Sequence, residues 1–275
     1  MTFEKMLLSP SVLISLALVF VASIVLTFFP LIGTLGFEFS AISAVILSFL
    51  SVFISASLIS SSQKNNRSTS RLSNPISEIL FINSIILLIP FLIGLISTLI
   101  KNDCYLREGA IFFLLIPAIT VFFSASIGML VGHFFGRKGI FIGPIIILVI
   151  LCYALLKLYY GLSIFVYNPI FGLFPGPLYD EAIPISLTLI ISRIIVFFWG
   201  LLLLLILRIA SGLKYSLFGI WDTILVIIVV IVLITAYLNE SKIGISYTRD
   251  YITKNFLSGS IETDNFIIYY APGTL

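Results

Sequence analysis

Arg193 interrupts an otherwise apolar run, residues 185–207, with a permanent charge. A charge deep in such a run costs at least about 2.5 kcal/mol to place in a bilayer, so it faces a partner or water, or escapes along its own side chain. Two readings follow. Arg193 could hold an anion or a lipid headgroup, with Asp180 and Glu181 in the preceding segment as the nearest acids to join it. Alternatively it snorkels outward within a helical bundle. Little else in the chain could do chemistry. The one histidine, His133, sits beside Gly132 and close to Arg137, which suits an interfacial residue better than a proton relay. Cys104 and Cys152 have no spacing that would frame a metal site or a disulfide. Proton-driven pumps and cation carriers usually place Asp, Glu or His within their spans, and the apolar runs here carry almost none. No cofactor motif is present, and the expected cofactor and metal complement is none.

The elements that must position these residues are unusual for a water-soluble protein. Hydrophobic residues make up 60% of the 275, charged residues 10%, and the mean hydropathy is +1.22. A soluble fold could not hide that much apolar surface. A helix needs about 20 apolar residues to cross a bilayer core, and the chain offers such stretches at 11–33, 40–60, 78–100, 110–134, 140–162, 185–207 and 220–238. They are continuous and lack a period of two, which excludes barrel strands. The expected fold is therefore all-α, a polytopic transmembrane bundle of about seven spans in the cell membrane. The transmembrane domain covers 1–238 and a tail covers 239–275. The fifteen basic residues are dispersed, so the expected partner is the lipid bilayer and not a nucleic acid.

Basic residues fix the expected orientation, because cytoplasmic loops retain Lys and Arg. One set of alternate segments holds eight: Lys5, Lys64, Arg67, Arg71, Arg137, Lys138, Arg208 and Lys214. The short loops of the other set hold two, Lys101 and Arg107. The N-terminus is thus expected inside and, with seven spans, the C-terminus outside.

Ser124, Gly128, Gly132 and Gly136 recur every four residues and place small residues on one helical face. Backbones can approach closely there, either inside the bundle or across a seam with a second subunit, of the same chain or another. Pro90, Pro117 and Pro144 each remove one helical donor and should kink their helices. Between the fifth and sixth spans, Tyr167-Asn-Pro-Ile-Phe-Gly-Leu-Phe-Pro-Gly-Pro-Leu-Tyr-Asp-Glu181 alternates aromatics with Gly and Pro. That pattern suits a rigid segment at the outer interface: an aromatic anchor, a re-entrant lid or a platform. In the tail, residues 245–257 suggest a short juxtamembrane helix. The run Gly259-Ser-Ile-Glu-Thr-Asp-Asn-Phe-Ile-Ile-Tyr-Tyr-Ala-Pro-Gly273 reads as one β-strand, which needs neighbours to be stable.

The Glu262-Thr-Asp-Asn-Phe-Ile-Ile-Tyr-Tyr270 run resembles the opening strand of the peptidase-MA-like domains, of the gluzincin metallopeptidase type, that follow the membrane region of some bacterial polytopic proteins. The segments Phe29–Ser40 and Asn168–Glu181 are similar to that membrane region. The resemblance implies a membrane anchor in a bacterial inner or plasma membrane, joined to an outside peptidase domain that is truncated here. Zinc peptidases of that type bind metal through His-Glu-x-x-His, the glutamate activating water. This chain has His133 alone, so no catalytic residue carries over and none is expected in these residues. Two alternatives stand beside the anchor: a permease-like or lipid-handling protein working through Arg193 and the 167–181 loop, and a structural assembly subunit using the Ser124–Gly136 face.

Overall fold

The computed structural model describes residues 3–66, 75–101, 106–160, 166–174, 183–211, 218–245, 257, 259–262 and 267–270. Helices dominate: α1 (Phe3–Leu7), α2 (Pro10–Thr27), α3 (Phe37–Asn66), α4 (Pro75–Ile100), α5 (Leu106–Phe113), α6 (Ile119–Phe135), α7 (Gly139–Tyr160), α8 (Leu187–Ala210), α9 (Phe218–Leu238) and α10 (Glu240–Ile243). A π-helical turn, Leu114–Ala118, joins α5 to α6, and it contains Pro117. Proline has no N–H to give the preceding turn, and the extra residue of a π turn absorbs that defect without ending the helix.

Among the described residues, six helical stretches are long and apolar enough to cross a membrane, and one of them is the 49-residue stretch Leu106–Ala154. That stretch is not straight. Gly128 and Gly143 both abut Val52, although fifteen residues of continuous helix would hold them about 22 Å apart. The chain reverses in a 3-10 turn, Gly136–Lys138, where Gly136 adopts φ 55°, a left-handed conformation that costs glycine little. Gly139 then lies against Val131 and Gly132, starting α7 back along α6.

α3 is the central post. About 61% of its spanning window is enclosed by protein, against 17% for α9, which packs chiefly on α8 and leaves Trp221, Ile227, Ile231 and Tyr237 for lipid. Its closest partner is α6, and the small-residue face makes the contact. A Cβ on Gly128 would come within 2.5 Å of the Val52 carbonyl oxygen, and one on Gly132 within 2.7 Å of the Ala56 oxygen. Matching steps of four on both helices show that α3 and α6 run parallel. Ser124 belongs to this face and is fully buried. Gly136 has nothing within 4 Å of its Cβ position, and its role is the turn.

The segment before α3 is tied to the end of α4. Ser97 Oγ donates to the Gly33 carbonyl at 2.6 Å, the Leu35 amide donates to Thr98 Oγ1 at 2.7 Å, and Lys101 Nζ donates to the carbonyls of Thr27 and Gly33. The first spanning helix, α2, accordingly ends at Thr27, six residues before the sequence-based limit of 33.

The tail differs from expectation. In place of one strand, β3 (Gly259–Glu262) and β4 (Ile267–Tyr270) pair antiparallel, Gly259 opposite Tyr270 and Glu262 opposite Ile267. A lone strand leaves its backbone groups unpaired, and Thr263-Asp264-Asn265 between the two strands are residues that favour a turn. The juxtamembrane helix expected in 245–257 falls almost wholly outside the described residues.

Candidate functional site: a re-entrant hairpin held by Arg193

Two further strands form inside the bundle. β1 (Val166–Asn168) and β2 (Gly172–Phe174) pair antiparallel, with Asn168 opposite Gly172 and Pro169-Ile170-Phe171 as the connecting tip. Three-residue hairpin connections favour glycine where the backbone turns left-handed, and Gly172 has φ 89°. Asn168 closes the turn from within, its Oδ1 accepting from the Ile170 amide at 2.7 Å. Its Nδ2 donates to the Ile150 carbonyl of α7 at 3.2 Å.

That last bond measures depth. Ile150 is eleven residues after Gly139 and ten before Tyr160, so the tip reaches the middle of α7. Ile170 is fully buried in a cluster with Val52 of α3, Phe123 and Ile127 of α6, Ile147 of α7 and Val196 of α8. Gly172 packs on Ile116 of the π turn, where a Cβ would come within 2.9 Å of that side chain. The interfacial segment is therefore re-entrant, a short hairpin occupying the centre of the bundle.

Non-helical backbone at this depth needs internal partners, because no water competes for its carbonyls. Arg193 and Thr120 supply them. Arg193 NH2 donates to the Asn168 carbonyl and, at 3.4 Å, to that of Gly172. Its NH1 donates to the Pro169 carbonyl at 3.2 Å and lies 3.5 Å from Thr120 Oγ1. Thr120 Oγ1 in turn donates to the Ile170 carbonyl at 2.7 Å. A planar guanidinium suits this task, since its five N–H groups fan outward in one plane toward several acceptors. Arg193 is fully enclosed and does not snorkel. No described carboxylate bonds to it; Asp180 and Glu181, the acids expected beside it, lie outside the described residues. Its Nε is buried without a partner.

Asn168, Thr120 and Gly172 are the site residues that sequence reasoning did not single out. The signal for Asn168 and Gly172 is the spacing Asn-Pro-x-x-Gly between apolar residues, which marks a tight hairpin; Thr120, inside an apolar helix, carries none. A second polar contact was equally hidden. Asn83 Nδ2 of α4 donates to Ser55 Oγ of α3 at 3.1 Å and to its own helix at Ile79. The carbonyl of Ile79 can only accept, so the amide orientation is fixed and Oδ1 is left buried without a donor. At the far end of α8, Arg208 Nε pairs with Asp222 Oδ2 of α9 at 3.1 Å, although the sequence placed both in or beside a loop. His133 is half-buried, its ring edge-on to Phe134. Among the described residues, no three His, Cys, Asp or Glu side chains are gathered where they could hold a metal ion.

The hairpin enters between α7 and α8, and the chain end leaves nearby: Thr188 Oγ1 at the start of α8 donates to the Ile243 carbonyl of α10 at 3.2 Å. Both segments thus belong to one end of an integral membrane bundle. Compared with known proteins, the chain matches no family model, no curated protein and no solved structure.

Proposed function

We propose that these residues form a seven-span membrane anchor that carries out no catalysis itself, with its N-terminus inside and with hairpin and tail on the outer side. The observation that carries this reading is the engagement of Arg193. Its guanidinium is spent on the hairpin carbonyls, and Ile170 fills the space between α3, α6, α7 and α8 that a substrate path would need. The bundle is then a rigid support for whatever its outer end carries. By the resemblance of residues 262–270, that cargo is a peptidase-MA-like domain. Reading the coding sequence beyond Leu275 tests this part: an open frame containing His-Glu-x-x-His supports it, and a stop codon removes the peptidase while leaving the anchor.

The second reading, a lipid-handling or permease-like protein, draws on the unpartnered Arg193 Nε, a buried donor still available to an anion. Lipid copurification separates the two. An anchor retains the same lipids after Arg193→Lys, whereas a site built on Arg193 loses its anionic lipid. The assembly-subunit reading has less support, because α3 fills the Gly128–Gly132 face.

A further inference from the structure

The 3-10 turn between α6 and α7 lies at the end of the bundle where α3 and α6 finish, away from the hairpin. Arg137 and Lys138 are adjacent on this turn, and both are exposed. Neither forms a hydrogen bond or ion pair with a described residue, in contrast to Arg208, which Asp222 holds at 3.1 Å. Large rings flank them: Phe134 and Phe135 on one side are 59% and 55% exposed, and Phe141 on the other is 76% exposed. Three phenylalanines left outside a packed bundle belong in an acyl or interfacial layer, and that fixes the depth of the two cations at the headgroups beside them. The space above Gly136 is open, with nothing within 4 Å of its Cβ position, so a headgroup can approach the turn backbone.

From this arrangement we propose that the Gly136–Lys138 turn is a binding site for the phosphate headgroup of an anionic phospholipid, Arg137 and Lys138 pairing with the phosphate while Phe134, Phe135 and Phe141 lie against the acyl chains. Charge complementarity selects an anionic lipid over a zwitterionic one. The rings select a lipid over a soluble anion, which would gain nothing from them. The site is independent of the anchor reading and of Arg193, because it requires only that the bundle sit in a bilayer.

The test uses the full chain purified in mild detergent and titrated with phosphatidylglycerol or phosphatidylcholine, bound lipid being counted by native mass spectrometry. The native chain is expected to retain phosphatidylglycerol preferentially, and the Arg137→Ala, Lys138→Ala double variant to lose about tenfold in affinity for it. Excess inorganic phosphate is expected not to displace the lipid. Equal retention of the two lipids, or an undiminished affinity in the double variant, overturns the proposal. Displacement by inorganic phosphate overturns it as well, by assigning the turn to a soluble anion. Both side chains are exposed, so the unfolding temperature of the variant should match that of the native chain. If it falls, the Arg137→Gln, Lys138→Gln variant repeats the titration with side-chain bulk kept.

Discussion

The charge of Arg193 is stabilised by backbone dipoles, with no described carboxylate beside it, and removing it sets two effects against each other. Replacement by leucine saves about 2.5 kcal/mol of insertion cost but leaves the carbonyls of Asn168, Pro169 and Gly172 without these donors in a dry interior, at about 1–3 kcal/mol each. The second effect wins. Arg193→Leu is expected to lower stability by about 2–4 kcal/mol in a detergent unfolding assay. Arg193→Lys should fall between, since one ammonium cannot reach acceptors spread across the hairpin tip. A structural defect elsewhere could mimic this loss, so hairpin position needs its own probe. In a background with Cys104 and Cys152 replaced by serine, Ile170→Cys should resist a membrane-impermeant maleimide and become reactive when Arg193→Leu is added. Thr120→Val is milder, removing the bond to Ile170 and one neighbour of Arg193; a loss of about 1 kcal/mol is expected, typical of hydrogen bonds between membrane helices.

At the scale of elements, the decisive contact is that of α3 with α6, and it has no room. A side chain on Gly128 meets the Val52 carbonyl at 2.5 Å and Ser55 Cβ at 2.9 Å, both belonging to the facing helix and unable to rotate away. Gly128→Leu should therefore force the helices apart and abolish a monodisperse, thermally cooperative protein in size-exclusion and unfolding assays. Gly136→Ala, with open space around it, should cost only the strain of φ 55° with ψ −129°, a conformation that favours glycine, about 1–3 kcal/mol. The contrast tests whether the four-residue repeat is one face or a face plus a turn. The repeat itself was legible in the sequence because period four is a local property of one helix. Which helix fills it was not, since α3 offers serine, alanine and branched aliphatics at the contact, as several other runs do. The hairpin was half legible. Pro and Gly among aromatics announced a rigid segment, but its depth depends on Arg193 and Thr120, which are distant in sequence and meet it only through tertiary packing. The paired strands of the tail are hidden in the sequence because each is only four residues long, too short for a period of two to separate them from one continuous strand.

For the whole molecule, apolar length makes the membrane-spanning character legible, since it acts through the bilayer and needs no knowledge of packing, and the basic residues set an expected orientation. What length alone leaves open is the number of crossings, because Leu106–Ala154 is one helical stretch by composition and two antiparallel helices by contact. The difference changes the side of everything after it. If α6 and α7 each cross, Lys138 lies with the N-terminus, and Asn239 lies opposite. If the stretch crossed once, the six crossings would return Asn239 to the side of the N-terminus. The basic residues favour the first arrangement, which keeps Arg137, Lys138 and Arg208 with Lys5 and leaves only Lys101 and Arg107 in the short loops across the membrane, the terminal Lys242, Arg249 and Lys254 weighing less than short loops. Reporter fusions resolve it. Fusions after Arg71 and after Lys138 should both report the cytoplasm, and one after Asn239 the opposite side. A cytoplasmic signal at Asn239 would move the hairpin and the tail inside with it, since Thr188 and Ile243 are joined at one end of the bundle. An outside peptidase domain would then have no place in this protein.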